Sequence, residues 1–182
     1  MVGIFREWSE FNVAVAGAGA ALGGLLIVAL SVNIRQIAES RGLAARAGAS
    51  IATLILGVAL SCAALIPGQV PWGYGVQVVA GTLVCGVVAV RSSIAIRRDS
   101  TATGYGRYDA ERIALFTIPL LFDLVGGVLL LAGPATVGLV LVAVATILAI
   151  VTTVLFSWVA LVEVLRSVGV RVLQVLLPLS SG

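Results

Sequence analysis

The chain has 182 residues, of which 60% are hydrophobic and only 10% are charged, and its mean hydropathy is +1.18. These values lie outside the range of soluble globular domains and predict an integral membrane protein. The net charge of +3 comes from arginines that flank apolar segments, a distribution that argues against a nucleic-acid-binding surface.

Five apolar stretches have about 20 residues or more, which is the length that a helix needs to cross ~30 Å of hydrocarbon. They cover residues 11–34, 47–66, 76–96, 113–132 and 137–162. Gly133 and Pro134 separate the last two stretches and predict a tight turn. We therefore predict an all-α fold in which residues 1–182 form one transmembrane domain, a bundle of five helices with a tail at 163–182.

The N-terminal segment carries aromatic residues at helical spacing, Phe5, Trp8 and Phe11, ahead of the first span. Because tryptophan favours the headgroup level, this segment is predicted to be an interfacial helix. At the other end, the polar residues of the tail fall near one face of a helix that is otherwise rich in valine and leucine. The tail is thus either a second interfacial amphipathic helix or an extension of the fifth span into a partner subunit.

Small residues mark two predicted packing faces. Gly19 and Gly23 are four residues apart in the first span, and Gly24 belongs to the parallel row beside them. Gly126 and Gly127 play the same part in the fourth span. Such positions allow a neighbouring helix to approach closely, and that neighbour belongs either to the same chain or to another copy.

The residue types required for most catalytic sites are missing. The chain has no histidine, which excludes a Ser-His pair and a zinc-protease helix. Cys62 and Cys85 lie inside apolar runs without a CxxC pattern. An intramembrane aspartyl protease needs two facing aspartates, whereas only Asp123 lies deep in a span. We therefore predict a non-enzymatic protein with no metal and no cofactor.

Asp123 is the one charged residue in an otherwise apolar stretch, with Pro119 one turn before it and two glycines one turn after it. A charged aspartate at the centre of a membrane helix costs about 2.5 to 3.5 kcal/mol, so this carboxyl should face protein or water. Thr152 and Thr153 are predicted to lie at a similar depth in the fifth span and to hydrogen-bond to it. The carboxyl either locks two helices together as a neutral acid or binds a translocated proton or cation.

The arginines set the orientation. Ten of the eleven lie in the connection after the first span, in the last residues of the third span and the connection that follows it, or in the tail, and only Arg6 lies on the other side. Since short cytoplasmic loops collect positive charge, the N-terminus is predicted outside and the C-terminus inside. Arg91 can reach the cytoplasmic surface by snorkelling. Glu163 and Arg166, three residues apart, are predicted to form a surface pair at the same boundary.

Three stretches carry a family resemblance: "EFNVAVAGAGAALGGLLIVALSVNI", "LIPGQ" and "SWVALVEVLR". With them the whole chain resembles small bacterial five-span membrane proteins of unassigned function, some of which are described as modulators of a membrane AAA protease. The resemblance implies a shared topology and assigns no catalytic residue.

Two functions are compatible with these patterns. In the first, the protein acts in the bacterial inner membrane through helix-helix contacts, as a homo-oligomer or as an accessory subunit of a larger complex. In the second, several copies form an ion or proton channel, or a carrier, that uses Asp123. In both, the partners are the lipid bilayer and membrane proteins, and not nucleic acid.

The predicted topology can be tested by cysteine labelling of intact cells. A cysteine at Gln69, in the loop after the second span, should react with a membrane-impermeant maleimide, whereas a cysteine at Ser100 should react only after the cells are opened. Label that reaches Ser100 but not Gln69 would reverse the orientation.

Overall fold

The computed structural model describes the backbone of residues 3–32, 41–100 and 106–176, and the side chains of residues 3–32, 47–91 and 117–158. Throughout these ranges the chain is helical apart from its turns, and no strand occurs in them. The helices, in chain order, are α1 (Ile4–Glu7), α2 (Ser9–Val32), α3 (Arg41–Ala64), α4 (Pro71–Ser100), α5 (Gly106–Ala132) and α6 (Ala135–Leu176). The predicted all-α class is confirmed.

Among the residues that the structure describes, four helices contain apolar segments long enough to cross a membrane, and they correspond to the predicted first, second, third and fifth spans. The segments are Ser9–Val32, Ala47–Ala64, Pro71–Arg91 and Ala135–Trp158. The predicted fourth span corresponds to Thr117–Ala132 of α5, which is apolar but shorter within the described side chains. Length and composition therefore support a membrane protein with four such helices.

On the arginine-rich side, three helices extend beyond the apolar stretches from which the spans were predicted. α4 continues to Ser100, α5 begins at Gly106, and α6 continues to Leu176. Apolar composition marks only the part of a helix that suits lipid, whereas backbone hydrogen bonding continues into polar sequence. Residues 33–34 of the first predicted span and residues 177–182 of the tail lie outside the described residues.

At the end of the bundle opposite the arginine-rich side, short turns join consecutive helices and make them antiparallel. Gly133 adopts a φ of +119°, which is costly for residues with a Cβ, and its N–H donates to the carbonyl of Leu129 (3.1 Å). Pro134 follows, so α6 starts immediately at Ala135. The predicted turn between the last two helices is present. In the resulting bundle, α5 lies between α4 and α6, while α3 contacts α2, α4 and α6.

Glycines allow α5 to approach both of its neighbours closely. A Cβ added to Gly75 of α4 would lie 2.9 Å from Leu130 Cβ and 3.1 Å from the carbonyl oxygen of Gly127. On the opposite side of α5, a Cβ added to Gly126 would lie 3.0 Å from the carbonyl oxygen of Gly138 in α6. Such distances leave no room for a side chain, so backbone meets backbone at both interfaces.

The small-residue face of α2 meets α3 of the same chain. A Cβ on Gly19 would lie 2.5 Å from Val58 Cγ2, and one on Gly23 would lie 3.7 Å from Leu54 Cδ2. Gly24 has no described atom within 4 Å of such a Cβ. For Gly19 and Gly23, the neighbour that the sequence left open is therefore within the chain.

The N-terminal aromatic residues contact the bundle. Phe5 of α1 is buried against Tyr74, with ring centroids 5.5 Å apart in an edge-to-face arrangement. Trp8 and Phe11 form a second edge-to-face pair at 5.7 Å. The segment therefore packs on the end of the bundle near the start of α4, and its position at a membrane surface stays a prediction.

Replacement of Gly75 by alanine tests the close approach, with Gly86 of the same helix as the matched control because it has no described atom within 4 Å of an added Cβ. Gly75→Ala should lower the free energy of unfolding by about 1 to 3 kcal/mol through overpacking. Gly86→Ala should raise it by up to ~1 kcal/mol, since alanine favours the helix. Thermal unfolding in detergent gives both values. Equal midpoints for the two variants would show that α4 and α5 do not touch there.

Candidate functional site

The carboxyl of Asp123 lies in α5, the helix that packs between α4 and α6. Asp123 is only 4% exposed, and its Oδ1 atom is buried without a hydrogen-bond partner. Pro119 lies one turn earlier in α5 and is buried. Because proline has no N–H, it leaves the carbonyl of residue 115 without its intrahelical donor. That carbonyl is two turns from Asp123, so it does not explain the position of the carboxyl.

The glycines one turn after Asp123 determine its neighbours. A Cβ on Gly127 would lie 2.8 Å from Val79 Cγ2 and 3.0 Å from Val78 Cγ1, so α4 covers this face of α5. Gly126 faces α6 instead, where Val142 Cγ2 would be 2.9 Å from an added Cβ. Asp123 is therefore enclosed between α4 and α6 and is kept away from lipid.

Three polar side chains of α4 lie either level with the carboxyl or within electrostatic range of it. Tyr74 and Cys85 both lie within electrostatic range of Asp123. Gly127 of α5 contacts Val78 of α4, and the two helices are antiparallel. One turn before Gly127 is Asp123 and one turn after Val78 is Thr82, so these two residues lie at the same level. However, Thr82 Oγ1 donates to the carbonyl of Val78 (2.7 Å), and Tyr74 Oη donates to the carbonyl of Leu60 (3.2 Å). Both hydroxyl protons are therefore used elsewhere.

The expected hydrogen bonds from Thr152 and Thr153 to Asp123 are not formed. Thr152 Oγ1 donates to Leu148 of its own helix and Thr153 Oγ1 to Ala149, each at 2.7 Å. The contact of Gly126 with Gly138 sets the depth of α6 and puts Asp123 level with the buried residues around Ala143 and Ala145. The threonines lie roughly 12 Å farther along the axis. Asp123, Thr152 and Thr153 therefore do not form one site.

Thr153 belongs instead to a polar cluster between α3 and α6 that the sequence analysis missed. Its hydroxyl also lies 3.5 Å from the carbonyl oxygen of Ser50, which accepts a second hydrogen bond from Thr53 Oγ1 at 3.0 Å. Ser50 is fully buried and its own Oγ has no partner. A usable signal was present, since Ser50, Thr53, Gly57 and Ser61 recur at helical spacing in the second span.

The packing glycines were only partly found from sequence. Gly126 and Gly127 do face neighbouring helices, but their counterparts Gly75 and Gly138 were missed. Each counterpart lies within four residues of a helix start, where glycine is easily read as part of a turn.

The predicted charged residues are placed only in part. Arg91 is exposed. Glu163 and Arg166 lie in α6, beyond the residues whose side chains are described, so their pairing stays a prediction. The free thiols of Cys62 and Cys85 differ, with Cys62 exposed and Cys85 buried. Among the described residues, no group of three or more His, Cys, Asp or Glu side chains is arranged to hold a metal ion.

Two substitutions of Asp123 separate a packing effect from a polar one. Asp123→Asn keeps the shape, and because Oδ1 has no partner to lose, the unfolding midpoint should stay the same or rise slightly. Asp123→Leu adds volume beside Gly126 and Gly127 and should lower the free energy of unfolding by about 1 to 3 kcal/mol. Thermal unfolding in detergent measures both. A large loss in the asparagine variant would show that the native state depends on the carboxyl itself.

Comparison with known proteins leaves the geometry as the basis for assigning a role. No protein-family model, no characterised protein and no solved structure matches this chain. The resemblance to small bacterial membrane proteins therefore stays a prediction.

Proposed function

We propose that this chain is a non-enzymatic inner-membrane protein of a bacterium that acts through helix contacts, as a homo-oligomer or as an accessory subunit. It crosses the membrane five times, with the N-terminus outside and the C-terminus inside. The proposal rests on the packing of α5, on the asymmetry of the two ends of the bundle and on the enclosure of Asp123.

The packing of α5 supports its assignment as the fourth of five spans. Its apolar part, Thr117–Ala132, connects to the apolar part of α6 through Gly133 and Pro134 alone. Gly126 touches Gly138, so the two helices lie side by side at one depth. If Ala135–Trp158 crosses the membrane, α5 must lie in the same layer. Its 27 residues give a helix of about 40 Å, which suffices for the crossing.

The observation that carries the proposed function is that α3, α4, α5 and α6 all extend beyond their apolar segments on the same side. α3 starts at Arg41, before its apolar segment, and α4 continues beyond Arg91. α5 and α6 extend on the same side, because the helices alternate in direction. These extensions contain most of the arginines, whereas the opposite side has short turns. A set of basic helices at the membrane surface is suited to contact with another subunit.

The surroundings of Asp123 favour a structural role for this residue over ion transport. The carboxyl lies beneath backbone contacts at Gly126 and Gly127 and is almost fully buried by its own chain. A neutral carboxylic acid can occupy such a position at a modest cost, whereas a translocated ion needs a path to water on both sides. The lack of a partner for Oδ1 is the one observation that favours the second candidate, a channel or carrier.

Purification in mild detergent, followed by mass measurement and liposome flux assays, tests the proposal. The wild-type chain should run as an oligomer or with a co-purifying membrane protein. Proton and cation flux into liposomes should match that of protein-free vesicles. Asp123→Asn is the matched control, because it removes the charge at constant shape. Robust flux that the asparagine variant abolishes would replace this proposal by the channel or carrier.

A further inference from the structure

The three tryptophans of the chain lie at the two ends of the bundle. Trp72 is the second residue of α4 and is 66% exposed, while Trp158 ends the apolar segment of α6 and is 70% exposed. Trp8 lies at the same end as Trp72, because Phe5, in the helical turn just before it, packs on Tyr74. Each end of the bundle therefore presents one highly exposed indole ring to its surroundings.

Contacts between the helices give the separation of the two exposed rings along the bundle. Gly75 of α4, Leu130 of α5 and Gly138 of α6 lie at one level. A Cβ added to Gly75 would lie 2.9 Å from Leu130 Cβ, and one added to Gly138 would lie 2.7 Å from Leu130 Cγ. Trp72 precedes Gly75 on the side of the short turns, and Trp158 follows Gly138 on the arginine-rich side. At 1.5 Å per residue, the two tryptophans are therefore about 35 Å apart.

This separation matches the distance between the two surfaces of a bilayer. The hydrocarbon core is ~30 Å thick, and polar headgroups begin just beyond it on each side. An indole ring combines a large apolar surface with one N–H donor, so it is most stable where hydrocarbon meets headgroup oxygens. Exposed valines and leucines at intermediate depth mark the surface that faces lipid but not its edges, because they carry no polar group. The two tryptophans therefore mark the edges.

The described charged side chains agree with these two edges. Three of them lie at the N-terminal end, beside Trp8: Arg6, Glu7 and Glu10. Arg91 is exposed and lies about 6 Å short of the level of Trp158, within reach of its own long side chain. Asp123, the remaining charged residue among the described side chains, is buried. The part of the described surface between the two tryptophan levels is therefore suited to hydrocarbon.

We propose that Trp72 and Trp158 anchor the bundle in the bilayer, with their indole rings in the headgroup regions of opposite leaflets and their N–H groups donating to phospholipid oxygens. This inference rests on the membrane crossing in the proposed function and goes beyond it, because it assigns the anchoring residues and the depth of the bilayer on the bundle. By helical rise, Thr117–Ala132 of α5 falls between the two levels. Asp123 then lies about 15 Å from the level of Trp72 and about 20 Å from that of Trp158, near the middle of the hydrocarbon.

Depth-dependent quenching of tryptophan fluorescence in liposomes tests the anchoring. Each single-tryptophan variant keeps either Trp72 or Trp158, and phenylalanine replaces the other two tryptophans of the full chain. One set of vesicles contains phosphatidylcholine brominated close to the headgroup, and the other contains phosphatidylcholine brominated close to the ends of the acyl chains. The shallow bromines should quench both native tryptophans at least about twofold more strongly than the deep ones, because an indole at headgroup level is far from the chain ends.

Two matched controls carry a tryptophan halfway along the same helices, Leu83→Trp in α4 and Ile147→Trp in α6, in a chain whose native tryptophans are all replaced by phenylalanine. Both positions are exposed and lie about 17 Å from the level of Trp72, so the deep bromines should quench them more strongly. Preferential deep quenching of Trp72 or Trp158, or water-like emission that neither lipid quenches, would overturn the anchoring while the controls still report a crossing. If the deep bromines quenched neither control, the membrane crossing itself would be wrong, and the proposed function would fail with it.

Discussion

Backbone contact at glycines is the constraint on which the rest of this bundle depends. Lipid tails are as apolar as the helices they surround, so membrane helices gain little by burying apolar side chains against one another. Close van der Waals packing has to supply the association instead. Gly75 and Gly127 bring α4 onto α5, and Gly126 and Gly138 bring α6 onto its other side. This pairing sets the depth of every residue on the three helices.

The buried carboxyl follows from that contact. α5 carries a proline and an aspartate in its short apolar stretch, and it is therefore the helix least suited to contact with lipid on all sides. Enclosure between α4 and α6 removes Asp123 from lipid. The packing around it offsets the free-energy cost of burying Oδ1 without a hydrogen-bond partner. In the proposed function, this residue is a tolerated polar group within a packed interface.

The two ends of the bundle differ in both structure and charge. On one side, Gly68 and Gly133 adopt left-handed backbone conformations that allow short turns, and Phe5 packs beside Tyr74. On the other side, the helices continue beyond the apolar segments and carry the arginines. In the proposed function, these arginine-bearing extensions are the surface that contacts another subunit.

Sequence alone determined the helical class, the approximate position of the apolar spans, the turn at Gly133 and the need to shield Asp123, because transfer free energies and helix propensity act locally along the chain. It did not determine that Gly19 meets Val58 of the same chain, that Ser50 shares a polar cluster with Thr153, or that the threonines lie far from Asp123. These facts depend on how far one helix is shifted along another. Only close contacts between distant residues decide that shift, and tertiary structure therefore had to supply it.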